Sequence, residues 1–147
     1  MNIEKFKRQH VAILKGIEDL RSLSHAGVAA NANDIARRIV AISGLVKLHL
    51  SIEDALLYPE LALNGDERLS RLGQQYQADM AGIAQQYFDF VMRWNTAERV
   101  AAEPEGFRAH ANTALRALHE RMLREDREFY PAIEAAAGLR PERQWRA

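Results

Sequence analysis

Apolar residues recur every three or four positions in four long segments of the chain, the spacing that places them on one face of a helix. Glycine and proline separate the segments. The pattern predicts helices near residues 3–24, 33–61, 66–101 and 104–136. Because short connections between long helices favour antiparallel neighbours, the sequence predicts an all-α, up-down-up-down four-helix bundle over residues 1–138, followed by a frayed tail at 139–147.

Polar residues interrupt these apolar stripes where the helical spacing calls for Leu or Ile. The interrupting residues are His10, His49, Glu53, Arg121 and Glu125. Counted from the turns, they fall at one height in the bundle and meet Met80 of the third segment, with Tyr76 expected beside Glu53. Buried polar groups without partners are costly, so this layer needs a bound cation or internal ion pairs.

The two halves of the sequence repeat each other. A shift of 72 residues places Glu53-Asp54 on Glu125-Asp126 and Tyr58-Pro59 on Tyr130-Pro131. The same shift places His49 on Arg121, and a shift of 70 places His10 on Met80. The chain is therefore predicted to consist of two related helical hairpins, with Pro59 and Pro131 near helix ends.

These motifs resemble the hemerythrin-like (HHE cation-binding) family. The resemblance covers roughly residues 3 to 136 and rests on His10, His49-Leu-Ser-Ile-Glu53-Asp54, Leu57-Tyr58-Pro59, Glu125-Asp126 and Phe129-Tyr130-Pro131. It implies a four-helix bundle around a di-iron centre, with histidines from all four helices and a bridging Glu from each of two His-x-x-x-Glu motifs. Carried over residue by residue, the metal ligands are His10, His49, Glu53 and Glu125.

Two positions depart from the family pattern. Met80 and Arg121 stand where the third and fourth helices should each give a histidine. A thioether is a soft ligand poorly matched to ferric iron, and a guanidinium keeps its proton and cannot ligate. Arg121 is expected to replace a second cation by pairing with Glu53 and Glu125. A single iron is favoured over two, and a metal-free polar layer stays open.

The other polar residues near the stripes carry weaker signals. His119 is predicted at the surface or boundary, and no metal role is expected for His25 and His110. Asp54 and Asp126 lie one position off the stripe, where each could accept a hydrogen bond from a ligating imidazole or face solvent.

Composition narrows the function. The 147 residues contain no cysteine and have a formal net charge of +0, which disfavours thiolate sites, nucleic acid and anionic membrane as partners. No segment is apolar enough to span a membrane, so a cytoplasmic location is expected. No phosphate loop or hydrolase motif is present in the sequence, and a non-enzymatic role is expected.

Two functions remain open at this stage. The family resemblance implies a metal-dependent module that binds or senses O2, nitric oxide or iron. The alternative is a metal-free bundle with a salt-bridged core that acts in protein interaction, as a homodimer or with an unidentified protein.

Overall fold

The computed structural model describes residues 3–138, and this part of the chain is helical without strands. The all-α prediction is confirmed, whereas the frayed tail predicted for 139–147 lies outside the described residues. The helices are α1 (Glu4–Ala26), α2 (Ala32–Ile52), α3 (Tyr58–Ala62), α4 (Glu67–Trp94), α5 (Ala97–Ala102), α6 (Pro104–Arg124) and α7 (Tyr130–Gly138). Two π-helical turns, π1 (Glu53–Leu57) and π2 (Glu125–Phe129), join α2 to α3 and α6 to α7.

Local sequence explains where the helices begin and end. Gly27, after α1, and Gly65, before α4, adopt φ values of 136° and 87° that other residues rarely take. The Asp66 side chain caps α4 by accepting hydrogen bonds from the backbone N–H groups of Arg68 and Leu69. Pro104 occupies the first turn of α6, where its missing N–H costs nothing.

The single helix predicted over 66–101 is wrong, because the chain breaks between α4 and α5. Thr96 is extended, with φ −128° and ψ 145°, and its side chain accepts a hydrogen bond from the backbone N–H of Arg99. Asn95 and Thr96 are both residues whose side chains compete with helical hydrogen bonding. The apolar stripe continues across the break through Val100, which is fully buried. The spacing of apolar residues therefore gave no sign of the break.

The four long helices surround one core. Helix α1 packs against α2 and α6, and α4 packs against the same two helices. A large apolar cluster includes Ile13, Val46 and Leu118, and a small apolar cluster includes Phe6, Leu57 and Phe129. Along each helical run the polar residues of the predicted layer lie between these two clusters. No helix in the described range is long and apolar enough to cross a membrane.

The two π turns occupy equivalent positions in the two halves, 72 residues apart, and support the internal repeat. In each, the wide turn closes with a hydrogen bond from the backbone N–H of the following tyrosine, Tyr58 or Tyr130, to the carbonyl of Glu53 or Glu125. A proline comes next in both halves, and its ring would clash with the carbonyl four residues earlier in a regular α-helix. The wider turn relieves that clash, so each proline lies within the helical run. The first run ends at Ala62, three residues after Pro59, near the predicted end, and the second continues to Gly138.

Candidate metal centre

Two histidines and two glutamates meet in the polar layer. The four residues are His10, His49, Glu53 and Glu125, and each offers one ligand atom within 4.8 Å of the others. Helices α1 and α2 supply the histidines, and the two π turns begin with the glutamates. All four are at most 1% exposed. The four residues that the sequence predicted to share one layer are therefore close together in the fold.

Hydrogen bonds from the outer ring nitrogens orient both imidazoles. His10 Nδ1 lies 2.9 Å from Asp126 Oδ1, and His49 Nδ1 lies 2.7 Å from Gln9 Oε1. Carboxylate and amide oxygens only accept, so each Nδ1 donates, and either ring when neutral turns the lone pair of Nε2 inward. Asp126 was one of the two acceptors considered from sequence. Gln9 was missed, since nothing in the stripe marks the residue before His10.

The inner nitrogens crowd against each other and against carboxylate oxygens. His10 Nε2 and His49 Nε2 are 3.0 Å apart. Glu125 Oε1 lies 2.9 Å from the His10 nitrogen, and Glu53 Oε2 lies 3.2 Å from the His49 nitrogen. Electron pairs on four such atoms repel unless a proton or metal cation lies among them. The arrangement could hold a small cation.

In the metal-free protein, protonation supplies part of that positive charge. Burial opposes charge on His49, but hydrogen bonds to Glu125 and Glu53 outweigh it and raise its pKa to about 9. Burial also opposes charge on Glu125, yet His10, His49 and Arg121 together hold the pKa of its carboxyl below the usual range. Glu53 Oε1, in contrast, is buried without a hydrogen-bond partner among the described residues. Protons alone therefore leave the Glu53 carboxylate incompletely satisfied.

Arg121 sits inside the layer, as predicted, but with different partners. Its side chain is buried, and Nε donates to Glu125 Oε2 at 3.1 Å. Nη2 donates to the backbone carbonyl of Tyr76, and the guanidinium carbon lies 4.5 Å from the centre of the Tyr76 ring. The expected pairing with both glutamates is wrong, because within the described residues Arg121 pairs with Glu125 and directs Nη2 to the Tyr76 carbonyl.

Tyr130, not Tyr76, is the tyrosine beside Glu53. The Tyr76 hydroxyl instead donates to Glu128 at 3.0 Å, and its ring stacks on Phe129. The Tyr130 hydroxyl donates to Glu53 Oε2 at 3.0 Å. In a regular α-helix, a residue five positions after Glu125 lies about 140° away around the axis. The π turn reduces that angle and brings Tyr130 inward. The repeated Tyr-Pro dipeptide was the feature of the sequence that could have indicated this position.

The remaining sequence candidates lie outside the donor set. Met80 is buried in the large apolar cluster. Asp54 accepts a hydrogen bond from Gln77 at 3.1 Å on the exposed surface of the helices, and not from an imidazole. His119 is partly exposed, as predicted for a surface or boundary residue, and His25 is exposed. His110 accepts a hydrogen bond from the Trp94 indole at 2.9 Å.

The fold and site thus define an all-helical protein with a buried His/Glu cluster that could hold a metal ion. In a comparison with models of known protein families, residues 1–133 match the hemerythrin HHE cation-binding domain. The chain belongs to this family. Searches of curated proteins and of solved structures gave no match.

The donor set fits one ion better than the pair of ions that the family resemblance implies. Two imidazole nitrogens and two carboxylates are suitable donors for one borderline-to-hard cation. A second ion would have to share Glu125, whose Oε2 already binds Arg121. The guanidinium cannot give up its proton to become a ligand, so the second half of a di-iron centre does not fit these residues.

Proposed function

We propose that this protein holds a single iron ion through His10, His49, Glu53 and Glu125, and uses it without catalysis to bind or sense O2, nitric oxide or iron itself. One observation carries the proposal. The two Nε2 atoms point at each other across 3.0 Å while carboxylate oxygens close the site. Metal-ligating histidines typically have the outer ring nitrogen fixed by an oxygen acceptor, as both do here.

The burial of the site supports a small ligand. The four donor residues are almost completely inaccessible, which suits a diatomic molecule better than an extended substrate. Iron held there would supply an open coordination position for that molecule. The surrounding residues would exclude bulk water and orient the donors. The proposal includes the up-down-up-down order of four long helices and a cytoplasmic location.

Metal analysis tests the proposal directly. Protein purified without a chelating tag should contain close to one iron per chain, and a His49→Ala variant should lose it. His119→Ala is the matched control, since this partly exposed histidine lies outside the donor set. An absorption spectrum near the oxo-to-iron charge-transfer region separates one ion from an oxo-bridged pair. Wild-type protein that stays free of iron after loading with ferrous or ferric salt contradicts the proposal.

A metal-free interaction module is the second candidate function. The ion pair between Arg121 and Glu125, together with a protonated His49 against Glu53, already balances much of the buried charge. On this hypothesis the layer is a structural core, and the protein acts as a homodimer or on an unidentified protein partner. This hypothesis requires the same melting temperature with and without added iron, because a ligand that binds only the folded state must raise the melting temperature.

A further inference from the structure

We propose that Tyr130 is a fifth ligand of this centre and that its phenolate oxygen selects ferric iron. The inference rests on the proposed function, because it assumes that the four-residue cluster binds a metal ion. It adds a residue outside that cluster and names the oxidation state that the site prefers.

The position of the Tyr130 hydroxyl is that of a donor atom. Its oxygen lies 3.0 Å from His10 Nε2 and 3.0 Å from Glu53 Oε2. Oxygen and nitrogen ligands about 2.0–2.2 Å from one ion are themselves roughly 3 Å apart. The hydroxyl therefore contacts two of the four candidate ligands at the distance expected between neighbours in one coordination shell.

The fold holds the Tyr130 ring in place for this role. The residue is fully buried at the junction of π2 and α7. Its ring lies 5.1 Å from the His10 ring and 6.0 Å from that of Phe129, centre to centre. Packing on two sides fixes the direction of the hydroxyl, so little ordering is needed when an ion arrives.

The equivalent residue of the first half provides a contrast. Tyr58 also follows a π turn and precedes a proline, and it is also buried. Its hydroxyl makes no hydrogen bond to any of the four candidate ligands and interacts instead with the Arg121 guanidinium. The same backbone device thus places one tyrosine hydroxyl against two candidate ligands and the other against the arginine.

Charge favours a trivalent ion over a divalent one. Glu53, Glu125 and a deprotonated Tyr130 would bring three negative oxygens to one cation, with two neutral imidazoles completing the set. Hard anionic oxygens prefer hard, highly charged ions. The phenolic proton leaves for solvent when the ion takes its place, so the site gains a metal–oxygen bond and releases one proton at this residue.

Spectroscopy of the ferric protein tests the inference. A phenolate bound to ferric iron gives a visible charge-transfer band, and excitation in that band enhances tyrosine ring vibrations in the Raman spectrum. Wild-type protein loaded with ferric iron should show both features. Tyr130→Phe should abolish them and weaken ferric binding by more than the roughly 10–100-fold that loss of a residue merely supporting a ligand costs. Tyr58→Phe, the matched control, should retain them.

The outcomes separate this inference from the proposed function. Iron bound at one per chain without phenolate features overturns the tyrosine ligand and leaves the four-residue site standing. Features that survive in Tyr130→Phe overturn it as well. A wild-type chain that binds no iron overturns both. If Tyr130→Phe does not fold, wild-type protein carrying ring-deuterated tyrosine still decides, since Raman bands that do not shift with the label exclude a tyrosine ligand.

Discussion

The two halves of the molecule share a backbone and differ in the charges they bring to its centre. Both contain a helical run with a π turn that begins at a glutamate and ends before Tyr-Pro. At the position that precedes each glutamate by four residues, the first half has His49 and the second has Arg121. An imidazole can take a metal ion, whereas a guanidinium supplies its own fixed positive charge.

The same backbone forms around either residue, so the scaffold does not depend on whether this position holds an imidazole or a guanidinium. The proline requires the wide turn in either half, and the turn places a glutamate in the layer in either half. The groups that neutralise the glutamate differ between the two halves. Glu125 has Arg121 at 3.1 Å and His10 at 2.9 Å, whereas Glu53 has His49 at 3.2 Å and the Tyr130 hydroxyl at 3.0 Å.

The largest expected effect comes from making the second half resemble the first. We expect Met80→His combined with Arg121→His to take up close to two irons per chain, where the parent takes one or none. The double change removes the fixed positive charge that repels a cation near Glu125 and adds two imidazoles. Elemental analysis and visible absorption measure the outcome.

The single variants are the controls for that experiment. Met80→His keeps the repelling guanidinium, and Arg121→His keeps an apolar thioether, so neither should gain a second iron. A double variant that stays colourless and free of metal would show that the large apolar cluster holds position 80 away from the donors. A parent that already carries two irons would show that Arg121 does not block the second ion.

Removing the fixed charge without replacing it should destabilise the protein. We expect Arg121→Met to lower the free energy of unfolding by about 3–5 kcal/mol near neutral pH, because Glu125 then keeps a buried charge without its arginine partner. The loss should be smaller near pH 5, where a carboxyl whose pKa has risen takes up a proton. Denaturant unfolding at both pH values measures this.

Arg124 provides the matched control for Arg121. It pairs with Glu128 at 3.8 Å, also four residues apart, but its side chain is 52% exposed. An exposed pair contributes less than about 1 kcal/mol, so Arg124→Met should change stability little. Equal effects of the two substitutions would mean that the buried Arg121 pair contributes no more than a surface pair.

The sequence predicted the parts of this molecule that depend on periodicity. Apolar spacing places Ile13, Val46 and Leu118 in the core, and the interruptions of that spacing identify the donors. The repeat predicted that Glu53 and Glu125 are equivalent. Each of these follows from counting residues along a regular helix, which the long helical segments obey.

The parts that sequence could not predict lie where the helix departs from regularity. Counting at 100° per residue gave Tyr76 as the neighbour of Glu53 and gave Tyr130 no position in the layer, because a π turn changes the angle of every residue after it. Arg121 was assigned to both glutamates because its hydrogen bond to the Tyr76 carbonyl is a backbone contact. No side-chain pattern records such a contact.

A smaller expected effect concerns the first half and its dependence on pH. Since folding raises the pKa of His49 from 6.5 to about 9, its charge stabilises the metal-free protein fully below pH 6.5, and this contribution is lost as pH rises through 9. The loss is on the order of 3 kcal/mol. Urea unfolding of chelator-treated protein between pH 6 and 10 measures the slope.

A variant isolates the contribution of His49 to that slope. His49→Gln cannot titrate, so its stability should vary less over the same pH range. If wild type and His49→Gln show the same slope, the imidazole does not carry the charge in the metal-free layer, and the balance between the halves assigned above is incorrect.

The smallest expected effect compares the two repeated tyrosines in the metal-free protein. Tyr130→Phe removes the hydrogen bond to Glu53 and leaves a buried carboxylate oxygen without its donor, which costs about 1–3 kcal/mol. Tyr58→Phe removes a buried hydroxyl that makes no hydrogen bond to a candidate ligand and interacts with the Arg121 guanidinium, so the loss should be smaller. Denaturant midpoints of the two variants, measured in chelator, give the difference directly. Similar losses in both would mean that the Tyr58 hydroxyl contributes an equally stabilising contact. The two tyrosines would then differ in the residue that each hydroxyl contacts, but not in their contribution to stability.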